Sequence, residues 1–204
     1  MLLAICLSQI LPTDFFEEPN FIVIPDIAPL VEGHVLIVSV NHYPCFGAMS
    51  QEYLFETITI KHEIRRRLTR AYRAPIFFEH GPVASRKAAG VCIDHAHLHC
   101  LPANRGFSSF IAPNHSSEQI SSIIQLAEYT KSGLSYLFYE SRDGNASVYP
   151  LDSEGDDVPP QHLRHAAARA FTVPEWNWRA ISKSPTYGDI MRPWILRAVK
   201  MLRH

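Results

Sequence analysis

A short stretch in the middle of the chain, Asp94-His95-Ala96-His97-Leu98-His99-Cys100-Leu101-Pro102, alternates three histidines with small or apolar residues. Successive side chains of a β-strand point to opposite faces of its sheet, so this period of two predicts a strand. The three imidazoles then share one face at intervals of roughly 7 Å, and Ala96, Leu98 and Cys100 point into a core. The stretch therefore requires a fold with a sheet, and its chemistry is that of three neighbouring imidazoles.

Three interpretations of this histidine cluster compete. In the first, the histidines lie on a solvated face and are satisfied by backbone and neighbouring groups, although stacked imidazoles repel one another when protonated. In the second, two histidines at positions i and i+2 bind Zn²⁺, but no Cys pair, His-Glu-x-x-His motif or acidic cluster elsewhere supplies the remaining ligands convincingly. In the third, one imidazole is a nucleophile at phosphorus.

Imidazole suits nucleophilic attack because its unperturbed pKa of about 6.5 leaves a ring nitrogen unprotonated at neutral pH. The neighbouring imidazoles can donate hydrogen bonds or protons to phosphoryl oxygens and to a leaving group. Attack gives a phosphoramidate intermediate and divides one displacement into two easier steps. A metal ion is not required if enough donors surround the phosphate, and no cofactor is expected. We favour this third interpretation, in which the protein is an enzyme.

The remaining pattern mixes strands and helices without regular alternation. Strands are predicted at Phe21–Ile24, Val35–Val40, Ile76–Glu79 and Val91–Leu101, and a hairpin is predicted between Leu134–Tyr139 and Ala146–Tyr149. Helices are predicted after Ser50, from a Ser-x-x-Gln capping box at Ser116 as far as Gly133, around Gln161–Phe171 and at the C-terminal end. This order favours an α+β fold with a mainly antiparallel sheet.

The helix predicted after Ser50 has two contrasting sides. Its buried stripe, at spacings of three and four, consists of Tyr53, Thr57, Ile60, Ile64, Leu68 and Ala71. The opposite side carries Lys61, Arg65 and Arg66, which we expect to be solvated, as charge runs on helices usually are.

Composition narrows the class of protein. The chain has 204 residues, 47% of them hydrophobic, which is enough for one substantial core. Nineteen Lys and Arg nearly balance 20 Asp and Glu, so we expect no nucleic acid as a partner. The four cysteines are widely spaced, which favours reduced thiols and a cytoplasmic location. The apolar residues Met1–Leu11 are too few to span a bilayer, so no membrane is expected either.

The histidine stretch resembles the signature of the histidine-triad (HIT) superfamily. The resemblance extends upstream to Ile24-Pro25-Asp26-Ile27-Ala28-Pro29 and to Gly33-His34-Val35-Leu36-Ile37-Val38, followed by His42. These segments are similar to the nucleoside-binding strand pair of that family, and the whole match covers roughly residues 15 to 102. The resemblance implies a HIT-like fold, with a curved antiparallel sheet and a long crossing helix.

The resemblance also implies roles for individual residues. His97 would carry a covalent nucleotidyl group, and His99 would contact the phosphate or the leaving group. The backbone at His95 would orient the ring of His97, and His34 would support the cluster from the neighbouring strand. Two further residues would contact the nucleoside: Asp26 would hold the ribose hydroxyls, and Ile27 would line the base pocket.

Two departures from the family pattern bear on the substrate. Family members usually carry Gln-Ser or Gln-Thr before the triad, where this chain has Val91-Cys92. The preceding strand usually offers Asn or Gln where this chain has Glu79, followed by His80. We expect Cys92 and Glu79 to lie at the nucleotide, where a carboxylate would favour a neutral or cationic leaving group.

These features predict a nucleotide hydrolase or nucleotidyl transferase that cleaves at the α-phosphorus of a nucleoside monophosphate derivative through His97. The expected partner is a nucleotide or nucleotide-conjugate substrate. The alternatives are a nucleotide-binding module without turnover and a metal-dependent hydrolase that uses the histidine cluster.

The expected organisation is a catalytic core at residues 12–103 and a C-terminal extension at 104–204 that packs on it. In the extension, Trp176-Asn-Trp178-Arg179 would either cover the site or attach the tail to the core. A homodimer is a further expectation, since dimers are common in the family.

Overall fold

Eight strands of the described residues pair into one antiparallel sheet. This structure, a computed structural model, describes residues 16–82, 95–111, 116–151, 158–159, 161–181, 183–184 and 187–203. In chain order the strands are β1 (Phe16–Glu18), β2 (Phe21–Pro25), β3 (Val35–Ser39), β4 (Pro75–Gly81), β5 (His97–Pro102), β6 (Glu118–Ile120), β7 (Ser135–Glu140) and β8 (Ala146–Leu151). Across the sheet their order is β1-β2-β3-β5-β4-β7-β8-β6.

Helices cover both faces of this sheet. They are α1 (Gln51–Ala71), α2 (Ser108–Ile111), α3 (Leu126–Lys131), α4 (His162–Phe171), α5 (Trp178–Ile181) and α6 (Tyr187–Arg203), and short 3-10 helices lie at Phe46–Ala48 and Ile123–Gln125. The predicted α+β class with an antiparallel sheet and a long crossing helix is confirmed. None of the helices in the described ranges is long and apolar enough to cross a membrane.

The helix predicted from Ser116 begins later than expected. The residues that follow Ser116 form the edge strand β6, which pairs with β8. The capping box is instead at Ser122 and Gln125, which opens the 3-10 helix before α3. The predicted stop at Gly133 is confirmed, because Gly133 has a φ of 74° directly after the last turn.

The two faces of the sheet have different cores. On one face, α1 packs over Phe77, Leu98 and Cys100 in a core cluster that also includes Ile60 and Ile64. The predicted burial of Ala96, Leu98 and Cys100 is thereby confirmed, since each is at most 1% exposed. The other face bears the alternate residues of β5, among them His97 and His99.

Two helices from the last third of the chain share the histidine-bearing face. Helix α4 packs over Ile76, Phe78 and Leu101. Helix α6 places Ile195 and Val199 against Ile24, Leu36 and Val38 of β2 and β3. Strand β5 therefore presents its histidines between two helical walls. Strands β6 to β8 come after Asn104 in the sequence but extend the same sheet as the earlier strands. The domain boundary predicted at 103/104 stays a prediction.

The charged side of α1 is not fully solvated, contrary to the sequence-based expectation. Lys61 is only 7% exposed and donates to the Glu140 carboxylate, which is 9% exposed. Arg65 donates to the other oxygen of Glu140 at 2.8 Å. Strand β7 supplies this carboxylate from 75 residues further along the chain, so the helix pattern alone could not reveal the pairing.

We expect Glu140→Gln to lower the free energy of unfolding by about 3 kcal/mol, because it leaves the Lys61 ammonium buried beside a neutral partner. The double variant Lys61→Met/Glu140→Leu should recover most of that loss, since apolar groups then fill the space of the ion pair. Urea denaturation at neutral pH measures both. Arg66→Ala, which removes an exposed cation, is the control, and an equally small effect of Glu140→Gln would contradict the prediction.

Candidate functional site

Strand β5 sets the position of the two central histidines. His97 lies opposite Val38, and His99 lies between Leu36 of β3 and Phe78 of β4. The rings of His97 and His99 are 5.1 Å apart in an edge-to-face arrangement. His99 is 8% exposed, whereas His97 is half-buried. His99 is therefore not part of a solvated face, which disfavours the first of the three interpretations.

The loop between β2 and β3 brings a third histidine to this cluster. Gly33 turns the chain with a φ of +83°, a conformation that favours glycine. The Asp26 N–H then donates to the carbonyl of His34 at 3.1 Å, which places both side chains on the histidine-bearing face. His34 is 1% exposed and lies beside β3 in contact with His99, and its supporting role stays a prediction.

Hydrogen bonds assign the protons of His34 and His99. The backbone N–H of Leu30 donates to Nδ1 of His34 at 3.2 Å, so the proton of the neutral ring lies on Nε2. Nε2 of His34 lies 2.9 Å from Nδ1 of His99 and donates to it. His99 consequently carries its own proton on Nε2, where it can serve as a hydrogen-bond donor.

Burial keeps both of these rings neutral. Loss of hydration lowers the pKa of His34 to about 3 and lowers the pKa of His99 well below its usual value. The nearby Arg164 guanidinium lowers both pKa values further. At neutral pH, both His34 and His99 are therefore uncharged, and the hydrogen bond between them runs from His34 to His99.

His97 has the tautomer that a nucleophile needs. Its Nδ1 lies 2.8 Å from the carbonyl oxygen of His95 and donates to it, which leaves Nε2 unprotonated. Burial also lowers the pKa of His97. Nε2 of His95 in turn donates to the Ser39 carbonyl at 2.6 Å, so the backbone that orients His97 is itself fixed.

Asp26 occupies a different environment from the one that the sequence implied. It is 4% exposed. One carboxylate oxygen accepts from the Ala28 N–H at 2.7 Å, and the other accepts from Nη1 of Arg164 at 2.6 Å. The Arg164 guanidinium holds the pKa of Asp26 below its usual value despite burial. The carboxylate is thus part of an internal ion pair, and the predicted contact of Asp26 with ribose hydroxyls stays a prediction.

Ile27 is half-buried beside α6. It packs beside Tyr187 in the cluster that includes Ile195 and Val199, and the Tyr187 hydroxyl donates to the Ile27 carbonyl. The predicted role of Ile27 in a base pocket stays a prediction, and α6 would form the other wall of such a pocket.

Glu79 does not join the histidine cluster, and the expectation that it lies near a leaving group is corrected. Because Phe78 pairs with His99, Glu79 points to the opposite face with Phe77 and Leu98. There its carboxylate accepts from the Phe46 N–H at 2.8 Å and from the Tyr136 hydroxyl at 2.7 Å. Glu79 therefore connects the 3-10 helix at Phe46–Ala48 to the sheet by a hydrogen bond.

Two site-facing residues went unrecognised in the sequence. Phe78 stacks on the His99 ring at 4.6 Å between centroids, and His80 lies on the same face two positions along β4. The period-two alternation of β4 could have identified them if its register with β5 had been known. Cys92, with Val91, lies outside the described residues.

The site also includes a group that could hold a metal ion. Ligand atoms of Asp26, His34 and His99 all lie within 4.8 Å of one another. Two features fit a hydrogen-bonded cluster better than a cation site: the 2.9 Å contact between the two imidazoles, and the Arg164 cation already on Asp26.

The tryptophan segment contacts α4, which belongs to the same tail, and its predicted role as a cover of the site or an attachment to the core stays a prediction. Trp176 packs on the α4 side of the sheet and stacks near His165 at 4.9 Å. Its carbonyl accepts from Nε of Arg164 at 3.2 Å. The Arg179 guanidinium lies 4.7 Å from the Trp178 ring.

Residues 17–115 match a family described as "Protein similar to CwfJ C-terminal", which is a HIT-like family. With the three-histidine motif, this match shows that the chain is a member of the HIT-like superfamily. No curated protein sequence matches the chain.

Several solved structures are similar in part. A HIT-like protein involved in cell-cycle regulation from Bartonella henselae is 23% identical, with 52% of this chain and 76% of that chain covered and a TM-score of 0.39. A hypothetical histidine triad nucleotide-binding protein from Sulfolobus tokodaii is 24% identical, with coverage of 48% and 66% and a TM-score of 0.39. A DUF4931 family protein from Bacillus cereus is 12% identical, with coverage of 94% and 100% and a TM-score of 0.42.

We expect the buried Glu79 to make the free energy of unfolding depend on pH. Burial raises the pKa of Glu79 to about 7 from 4.5, so the folded state holds this proton more tightly than the unfolded state. The resulting stabilisation is complete below pH 4.5 and is lost as the pH rises through about 7.

Measurement of urea unfolding between pH 4.5 and 8 for wild type and Glu79→Gln tests this. The stability of wild type relative to the variant should fall by about 2–3 kcal/mol over this range, at about 1.4 kcal/mol for each pKa unit. The exposed Glu52→Gln is the control. A difference that is independent of pH would contradict the prediction.

Proposed function

We propose that this HIT-like protein is an enzyme that cleaves at the α-phosphorus of a nucleoside monophosphate derivative. The observation that carries the proposal is the 2.8 Å hydrogen bond from Nδ1 of His97 to the His95 carbonyl, which leaves Nε2 of a half-buried, neutral ring available for attack. The substrate is a nucleotide or nucleotide conjugate.

The proposed reaction has two balanced steps. Nε2 of His97 attacks phosphorus and forms an N–P bond, while the bond from phosphorus to the leaving group breaks. The electron pair departs with the leaving group, which takes a proton from solvent. Water then attacks the phosphoramidate, the N–P bond breaks, and the free imidazole returns with release of a nucleoside monophosphate and a proton. An acceptor in place of water would make the same enzyme a nucleotidyl transferase.

His99 stabilises the charge that develops on the phosphoryl oxygens. Its Nδ1 accepts from His34, so its Nε2–H can donate to an oxygen of the transition state in a site with little competing water. His95 contributes through its backbone, because its carbonyl fixes the His97 tautomer.

His97→Ala should reduce turnover by at least about 10³-fold, because it removes the nucleophile. Chromatography of products identifies the substrate among nucleoside phosphoramidates, dinucleoside polyphosphates, nucleotide sugars and simple nucleotides, with and without EDTA. Rapid quench into alkali should trap a nucleotidyl adduct on wild type and none on the variant. His62→Ala on the exposed face of α1 is the matched control.

Three other outcomes would overturn this assignment. Binding of nucleotides without turnover of any compound would leave a binding module. Loss of activity in EDTA that Zn²⁺ restores would support a metal-dependent hydrolase. An adduct that persists in His97→Ala would place the nucleophile on another residue.

We expect the acid limb of the kcat/KM profile to have its half-maximal point below pH 6.5. Burial lowers the pKa of His97, so the ring stays unprotonated where an exposed histidine would already be half protonated. The acid limb of the profile should therefore begin below pH 6.5. A half-maximal point at or above pH 6.5, measured under single-turnover conditions, would contradict the proposed environment of the nucleophile.

A further inference from the structure

Arg164 is a buried cation that connects the last third of the chain to the histidine cluster. It lies in the first turn of α4 and is 5% exposed. Its guanidinium makes three contacts: Nη1 with Asp26 at 2.6 Å, Nη2 with the Ala28 carbonyl at 2.6 Å, and Nε with the Trp176 carbonyl at 3.2 Å. Such a forked donor fixes both the position and the charge of the groups that it contacts.

Asp26 transmits this contact to the histidines. The oxygen that accepts from Arg164 also lies 3.4 Å from Nε2 of His34 and 3.8 Å from Nδ1 of His99. Without a cation beside it, this buried carboxylate would draw a proton onto the imidazoles. With Arg164 in place, Nε2 of His34 donates instead to His99 across 2.9 Å.

We propose that Arg164 is a positioning residue for the reaction, which pairs with Asp26 and thereby maintains the hydrogen bond from His34 to His99. The inference rests on the proposed function of His97 and makes α4 part of the functional site. In this proposal Asp26 connects Arg164 to the hydrogen-bonded histidines, in place of contact with ribose.

Charged and titratable groups around His97 and His99 come from several neighbouring elements. They are His34 and Asp26 from the β2–β3 loop, Arg164 from α4, His95 before β5 and His80 on β4. Among these, Arg164 is the permanent cation, and it lowers the pKa of His34, His97 and His99 alike.

The test compares variants that separate charge from support. Arg164→Met removes the cation, and Arg164→Lys keeps a cation without the fork. The acid limb of the kcat/KM profile should move up by about one pH unit in Arg164→Met and should stay near wild type in Arg164→Lys. In Arg164→Met/Asp26→Asn, which removes both charges, the limb should return toward wild type. Arg169→Met, an exposed cation of the same helix, should leave the profile unchanged.

A second readout does not depend on turnover. Long-range ¹H–¹⁵N spectra of the imidazoles should show protons on Nε2 of His34, Nδ1 of His97 and Nε2 of His99 in wild type. Arg164→Met should change the protonation pattern of His34 and His99 at pH 7, and Arg164→Lys should preserve it.

The outcomes distinguish this inference from the proposed function. Arg164→Met could have lower activity but the same acid limb and the same imidazole spectra as wild type. That result would show that Arg164 has only a structural role and would overturn the inference. Wild type without turnover or adduct would overturn the proposed function, while the spectra would still decide the role of Arg164. If Arg164→Met fails to fold, the Asp26→Asn variant provides the test. Loss of the Asp26 carboxylate should move the acid limb of the kcat/KM profile to lower pH only if the charges of Asp26 and Arg164 act on the histidines.

Discussion

The ion pair between Arg164 and Asp26 is the interaction on which the arrangement of this site depends. A carboxylate that is 4% exposed carries a large desolvation cost, and only a cation held in good geometry offsets that cost. Here the guanidinium donates to the carboxylate and to two backbone carbonyls, and a backbone N–H donates to the other carboxylate oxygen. The β2–β3 loop is thereby fixed, and with it His34 and its contact to His99.

The histidine cluster gains its chemistry from burial. An imidazole on a solvated strand would be partly protonated at neutral pH, and three together would repel. Here His34 and His99 lie beneath α4 and α6, and each has one ring nitrogen assigned to a defined partner. The tautomers follow from backbone atoms of Leu30 and His95 and hold without any ligand. Such preorganisation lowers the cost of stabilising charge in a transition state.

The sequence predicted local structure well and distant contacts poorly. Period-two alternation predicted most of β5 and the core positions Leu98 and Cys100, because both depend only on neighbours along the chain, but the strand was predicted to begin at Val91 and β5 begins at His97. Lys61 was misplaced because its partner comes from another strand. Glu79 was misplaced because the face on which it lies depends on register: a shift of one residue moves every side chain to the other face.

The contact of Arg164 with Asp26 could not be predicted from the sequence, for the same physical reason. Arg164 is an ordinary arginine in an amphipathic helix, and its partner precedes it by 138 residues. Resemblance to a family assigns roles to matched positions, but this chain changes the environment of Asp26 through a segment outside the resemblance. The residues of the histidine motif were thus foreseeable, whereas the group that sets their charge was not.

The distance along the chain between Asp26 and Arg164 also orders the events of biosynthesis. Strands β2, β3 and β5 leave the ribosome before α4, and until then Arg164 is not available to the Asp26 carboxylate. Contacts between such distant residues form late, because closing a long loop costs chain entropy before any contact offsets it. The nascent chain therefore acquires its three histidines early, but the cluster matures only when the last third of the polypeptide docks.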